Sequence, residues 1–278
     1  MRRIGAHVST AGGITNALRN TTDIGGTCLQ IFAGSPRSWA RKLYETKDAD
    51  KFRSESKSLD LTPTFIHALY LVNLASEDEQ LLKKSVDSLI FDLKNGQLIG
   101  SAGVIVHLGS HLGKGYDAVA EQVAGVIRQI INATEETYFI IENSAGQKGK
   151  IGSIKEIGDL FRRVNLPRLK ICLDSAHLFE AGYDLRNLSA VDSLVNELIN
   201  ENILGQVVCL HLNDSKTELD SRHDQHENLG EGHIGLVGLS NFVNHQSFLH
   251  LPLILEIPGE NGMPDSKNIE IAKGLCEK

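Results

Sequence analysis

Nine residues of this chain combine a metal-ligating type with a telling position: His67, His107, Glu142, Asp174, His177, His211, Asp224, His226 and Glu256. Six of them, His67, His107, Glu142, Asp174, His211 and Glu256, close short apolar runs such as VIVH (104–107), FIIE (139–142) and VVCLH (207–211), each of which reads as a buried strand. His177 follows Asp174 by three residues, and Asp224 and His226 form an Asp-x-His pair in the polar stretch after His211. In an extended segment residues two apart point the same way, so that pair can grip one ion from one side. Any one of these residues alone reads as a satisfied core histidine or a solvated acid. Their recurrence at strand end after strand end is what points to chemistry. Burying so many ionisable groups together is costly unless cations neutralise the carboxylates. Imidazole and carboxylate donors without thiolate suit zinc, with manganese or ferrous iron as alternatives. Nine donors exceed the needs of one ion, so two or three are expected. Closely spaced divalent ions activate water and stabilise the attacking and leaving oxygens of phosphoryl transfer. The residues alone therefore predict a multi-metal hydrolase of a phosphate ester.

The elements that must position these groups are readable as well. Strands are expected at Arg3–Val8, Thr27–Ala33, Thr64–Leu69, 104–106, Tyr138–Ile141, Leu169–Leu173, Val207–Leu210 and Leu253–Leu255. Helices are expected around Ile14–Leu18, weakly over Thr46–Leu61, from a capping box at Ser76–Glu79 to Gly100, through Val119–Ile130, and at Ile154–Val164, Ala190–Asn202, Leu236–His245 and Ser266–Cys276. The strands are almost wholly apolar, as parallel strands covered on both faces should be. From His67 to Glu256 the strand-end residues lie 32 to 45 positions apart, room for one strand and one helix. Eight such units predict an α/β fold of the (β/α)8 TIM-barrel type, with the metal site at the C-terminal ends of the strands. A doubly wound sheet would gather polar residues mainly at one switch point.

The chain has 278 residues, 41% hydrophobic and 23% charged, with no composition shift or linker-like stretch; one domain over residues 1–278 is expected. Cys28, Cys172, Cys209 and Cys276 show no CxxC spacing, and three lie in apolar runs, predicting buried thiols in a reducing compartment. No signal-like apolar stretch follows Arg2 and Arg3, and no run approaches the ~20 residues of a membrane span. A cytoplasmic protein without a membrane partner, and a monomer, is expected. The formal charge of −7 weighs against a nucleic-acid partner, but three divalent ions would bring it to about −1 (−7 + 6) and concentrate positive charge at one site.

Several stretches resemble, in order, the motifs of the endonuclease IV family of apurinic/apyrimidinic endonucleases: IGAHVSTAGG (4–13), QIFAGSPRSW (30–39), HALYLVNLAS (67–76), VIVHLGSHLG (104–113), IENSAG (141–146), CLDSAHLFEAGYD (172–184), HLNDSKTELDSRHDQHENLGEGHIG (211–235) and LILE (253–256). The resemblance spans nearly the whole chain, and the 172–184 and 211–235 motifs are highly specific. It implies a zinc-dependent TIM-barrel enzyme that hydrolyses the phosphodiester 5′ to an abasic site in double-stranded DNA and leaves a 3′-hydroxyl. By that likeness His67, His107 and Glu142 would hold one zinc, and Glu142, the catalytic carboxylate, would bridge to a second held by Asp174, His211 and Glu256. His177, Asp224 and His226 would hold the third, with manganese acceptable at one position. Arg37 and Tyr70 match positions whose side chains enter the duplex. His7 matches no ligand position and is expected to hydrogen-bond at the rim. Leu108 stands where His-Pro-Gly is commoner, and Ala68-Leu69 where a polar residue or proline is frequent; neither removes a ligand.

Two other readings are available. A metal-dependent sugar isomerase or epimerase would share the barrel and its strand-end ligands, but would not need His177, Asp224 and His226. A protein that binds abasic sites without cutting them would be expected to have lost metal ligands, and none is missing here.

Overall fold

The computed structural model describes residues 2–260, 262 and 264–276. In chain order its strands are β1 (Ile4–His7), β2 (Cys28–Phe32), β3 (Thr64–His67), β4 (Gly103–Val106), β5 (Tyr138–Glu142), β6 (Leu169–Asp174), β7 (Val207–His211), β8 (Asp214–Ser215), β9 (His226–Glu227) and β10 (Leu253–Leu255). Eight of them close a parallel barrel in the order β1-β10-β7-β6-β5-β4-β3-β2, while β8 and β9 pair antiparallel as a separate ribbon. Between the strands run α1 (Asn16–Asp23), α2 (Thr46–Ser58), α3 (Glu79–Ile99), α4 (Ala120–Asn132), α5 (Ile154–Val164), α6 (Ser175–Glu180), α7 (Leu188–Asn200), α8 (Gly235–Val243) and α9 (Ser266–Cys276). The expected TIM barrel is the fold observed. None of the described helices is long and apolar enough to cross a membrane.

Strand periodicity explains how the barrel positions its site. Cys28, Phe65, Ile105, Ile140, Cys172, Cys209 and Ile254, one from each of seven strands, form a single apolar layer inside the barrel. The eighth strand contributes Gly5, where an added Cβ would stand 1.7 Å from the Cys28 carbonyl oxygen, so no side chain fits. Residues two further along an extended strand point the same way. Counting on by two gives His7, Gln30, His67, His107, Glu142, Asp174, His211 and Glu256, a polar ring standing directly on the apolar layer. Outward-facing residues such as Ile31, Ile66, Val104, Ile141, Leu173 and Leu210 belong to the larger core shared with the helices, which is why the strands lack polar alternation below the mouth.

Several boundaries differ from expectation. The capping box at Ser76 does not form: Asp78 is the N-cap, its side chain accepting from the N–H of Gln80 and Leu81, while Ser76 Oγ accepts from Asp78 N–H at 3.1 Å. The helix therefore starts at Glu79, and it ends as expected at Gly100, whose φ of 71° only glycine adopts freely. α2 stops at Ser58 because Asp60 turns left-handed, and α7 stops at Asn200 for the same reason at Asn202. α1 starts at Asn16, two residues later than expected, and continues to Asp23. His107 and Glu256 lie one residue beyond β4 and β10, as expected, whereas Glu142, Asp174 and His211 are the last residues of β5, β6 and β7 rather than the first beyond them. The stretch after His211, read as an uninterrupted polar loop, contains the β8–β9 ribbon. Cys28, Cys172 and Cys209 are buried thiols, and Cys276 is half-buried at the end of α9.

Candidate metal centre

Glu142 is wholly buried at the centre of the ring. Its Oε2 lies 3.2 Å from His67 Nε2 and 3.3 Å from His107 Nε2, and its Oε1 lies 2.9 Å from His211 Nδ1 and 3.5 Å from His177 Nδ1. His211 Nδ1 also faces Glu256 Oε2 at 3.1 Å and Asp174 Oδ2 at 3.8 Å. A third group assembles from outside the barrel strands: His177 Nε2 on α6 lies 3.2 Å from Asp224 Oδ1 and 3.3 Å from His226 Nε2, with His226 Nε2 and Asp224 Oδ1 3.8 Å apart. The ribbon makes this possible, because Ser215 pairs with His226 and so turns the 216–225 segment back on itself, which brings Asp224 to the barrel mouth. All nine sequence-derived candidates thus converge on one place. Within it, His67, His107 and Glu142 form one set of mutually close donor atoms, and Glu142, Asp174, His211 and Glu256 form another.

Two features fit divalent ions. First, four of the histidines have one ring nitrogen fixed by an outer partner and the other aimed at the carboxylates: His67 Nδ1 bonds the Ala68 carbonyl, His177 Nδ1 the Asn143 carbonyl, His226 Nδ1 the Glu256 carbonyl, and His211 Nε2 the side-chain oxygen of Gln30. Metal-bound histidines are oriented in this way. Second, the buried carboxylates and the imidazoles around them shift one another's protons strongly. Burial alone would push His211 down, but Glu256 and Glu142 outweigh it and hold the ring well above its usual value; Asp174 and Asp224 do the same for His177. Burial likewise opposes the charge on Glu142, yet His107, His211 and His67 hold it well below the normal carboxylate range. Divalent cations can replace those protons. Cys172 and Cys209 also come within reach of His211, but both belong to the apolar layer below the ring, where burial and the neighbouring Cys209 push the Cys172 thiol well up.

Above the buried carboxylates opens a cavity of about 870 Å³ lined by His67, His107, His177, Asp224, His226 and Glu256, with Tyr70 on its wall. Tyr70 is 63% exposed, its ring edge-on to Phe32 at 5.5 Å and 5.8 Å from His67; a smaller cavity of about 240 Å³ adjoins its other side. Arg37 is exposed on the loop between β2 and α2, beside Pro36 of the cavity wall. Leu108 is buried, and its carbonyl accepts from Leu74 N–H, so the departure there leaves His107 in the ring. His7 sits in the ring with Nδ1 2.9 Å from Gln30 Nε2 and 3.5 Å from Glu256 Oε1, as expected of a hydrogen-bonding residue.

Sequence reading passed over three supporting amides. Gln30, fully buried, accepts from His211 and donates to His7 and Glu256. Asn143 Oδ1 accepts from Asp174 N–H, and Asn213 links Asp174 Oδ2 to the Glu256 backbone N–H. The available signal was position: Gln30 stands two residues after Cys28, where the ring requires it. Gln30→Leu keeps the volume but frees the His211 ring. The expected result is about a 10- to 100-fold loss of cleavage activity with reduced metal content, measured by kcat/KM and elemental analysis; an unchanged variant would remove Gln30 from this role.

Comparisons place the chain among known proteins. The Xylose isomerase-like TIM barrel family model matches residues 18–276. A "Probable endonuclease 4" of Haloarcula marismortui is 38% identical over 275 residues, covering 99% of each chain. The crystal structure of endonuclease IV from Thermus thermophilus superposes with a TM-score of 0.85 at 35% identity, covering 99% of both chains. A D-tagatose 3-epimerase-like protein superposes with a TM-score of 0.71 at 16% identity, covering 99% of this chain and 97% of that one, a likeness of fold alone.

Proposed function

The chain belongs to the endonuclease IV family, and from that premise we propose that it is a DNA-repair nuclease that hydrolyses the phosphodiester 5′ to an abasic site in double-stranded DNA and leaves a 3′-hydroxyl. The reading includes three zinc ions: one on His67, His107 and Glu142, one on Glu142, Asp174, His211 and Glu256, and one on His177, Asp224 and His226, with manganese acceptable at one position. Bound there, divalent ions would supply Lewis-acid activation of water and charge stabilisation for the attacking and leaving oxygens.

The chain's own residues do the rest. Glu142 Oε2 faces His67 and His107 while its Oε1 faces His211, which suits a carboxylate shared between neighbouring ions. Gln30 and the backbone carbonyls of Ala68, Asn143 and Glu256 set which nitrogen of each histidine faces the cavity. Tyr70, exposed at the mouth, and Arg37, on the adjoining loop, are the residues assigned to enter the duplex. Turning a nucleotide out costs least where pairing is already lost, so a missing base serves as both target and source of selectivity. The protein would work as a monomer in the cytoplasm.

The observation that carries this reading is the third group. His177, Asp224 and His226 come from a helix and a ribbon outside the barrel strands, yet lie within 3.8 Å of one another at the same mouth. A sugar epimerase built on strand-end ligands alone has no use for them. The test is whether the protein nicks a duplex carrying one abasic site and leaves the intact duplex whole.

A further inference from the structure

Outside the metal centre, five residues gather eight buried side-chain nitrogen and oxygen atoms that have no hydrogen-bonding partner among the described residues. They are Arg41 Nε, Nη1 and Nη2, Tyr44 Oη, Ser88 Oγ, both Asp92 carboxylate oxygens and Asn95 Nδ2. Arg41 belongs to the loop between β2 and α2, whereas Ser88, Asp92 and Asn95 lie along α3. The Arg41 and Asp92 side chains are 6% and 0% exposed, with Nη2 and Oδ2 3.8 Å apart.

This pair sits at the neck of the loop. A Cβ placed on Gly34, where the loop leaves β2, would come 2.7 Å from Arg41 Nη1, so the guanidinium rests against the loop's own beginning. At the other end Tyr44 N–H donates to Asn95 Oδ1 at 2.9 Å. Between these points the hydrogen bonds are local, such as Arg37 N–H to Ser35 Oγ and Ala40 N–H to Ser38 Oγ. Both ends of the loop are therefore drawn onto α3 around one buried guanidinium, and the tip they present carries Pro36 and Arg37.

We propose that Arg41 and Asp92 form a buried clasp that sets where the Arg37 loop stands over the barrel mouth, which makes them positioning residues for engagement of the duplex. This rests on the reading above in which Arg37 meets DNA. A guanidinium cannot shed its proton, so at this depth it needs a carboxylate, and removing the carboxylate leaves an uncompensated buried charge. Burial pushes the Asp92 carboxyl up to about 7, and Arg41 pulls against that rise. With the clasp broken, the guanidinium is driven towards water and takes the neck of the loop with it. A misplaced Arg37 loop weakens engagement of the duplex and leaves the reacting groups in the barrel mouth where they are, so the cost falls on KM.

The test is a double-mutant cycle on cleavage of an abasic duplex by Arg37→Ala, Asp92→Asn and the pair. Asp92→Asn is expected to raise KM about tenfold with kcat within twofold of wild type, and to add nothing once Arg37 is already alanine. Trp39, the only tryptophan in the chain, lies in this loop, and its emission should shift in free Asp92→Asn protein. Should Asp92→Asn fail to fold, Arg41→Met with Asp92→Leu removes both charges together and should give the same rise in KM. A fall in kcat of similar size, an undiminished effect in the Arg37→Ala background, or wild-type KM would overturn the clasp. Absence of cleavage by the wild-type protein would instead overturn the functional reading beneath it.

Discussion

Glu142→Gln should abolish cleavage of abasic DNA, by on the order of 10³-fold or more, while the barrel stays folded. Three decades correspond to about 4 kcal/mol of transition-state stabilisation. The size follows from where Glu142 stands. It is fully buried, and its two oxygens together face His67, His107, His177 and His211, which come from three barrel positions and from α6. Glutamine matches its shape but brings no negative charge, and it turns N–H donors towards nitrogens that must themselves face cations. Two ligand sets share this one carboxylate, so both should weaken together. The apolar layer that fills the barrel lies below the changed charge and is left intact, so far-UV circular dichroism should be unchanged while bound metal falls. An active Glu142→Gln enzyme would contradict the bridging role.

Prolonged chelation is expected to remove all cleavage and added zinc to restore it, with a dependence on acid that the site geometry sets. In the ion-free protein His177 and His211 keep their protons to higher pH than a free histidine because carboxylates surround them. A divalent ion must displace those protons. On the acid side of each raised pKa, binding therefore weakens about tenfold per pH unit for each proton displaced. At a fixed low free-zinc concentration activity should fall steeply as pH drops through the raised range in which these histidines take up protons, and raising zinc should recover it. Cleavage that survives exhaustive chelation, or that is indifferent to pH at limiting zinc, would contradict metal dependence.

The barrel and the convergence of the site were legible for one reason: strand periodicity is local. Each apolar run has an inward face of period two, so a polar residue ending the run can be placed on the mouth without knowing what it meets. The boundary errors were also local in origin. Ser76 carries the composition of a cap, but Asp78, two residues on, offers a carboxylate to Gln80 and Leu81 N–H and takes the position. What was not legible depends on partners far away in sequence. Gln30 looks like any neutral polar residue until His211, 181 positions away, is found bonded to it. Arg41 and Asp92 lie on a loop and a helix with no motif between them, and the β8–β9 ribbon is two residues a side, too short for alternation to announce. Arg37 and Tyr70 were placed by family resemblance; their exposure at or beside the mouth is compatible with contact to a duplex.

The most direct measurement is incubation of the protein with a duplex bearing one tetrahydrofuran abasic analogue, followed by identification of both new ends. The analogue cannot undergo β-elimination, so only hydrolysis cuts it. A metal-dependent nick on the 5′ side of the lesion, leaving a 3′-hydroxyl, is the predicted result. Intact duplex after incubation with folded, fully metallated protein would contradict the account.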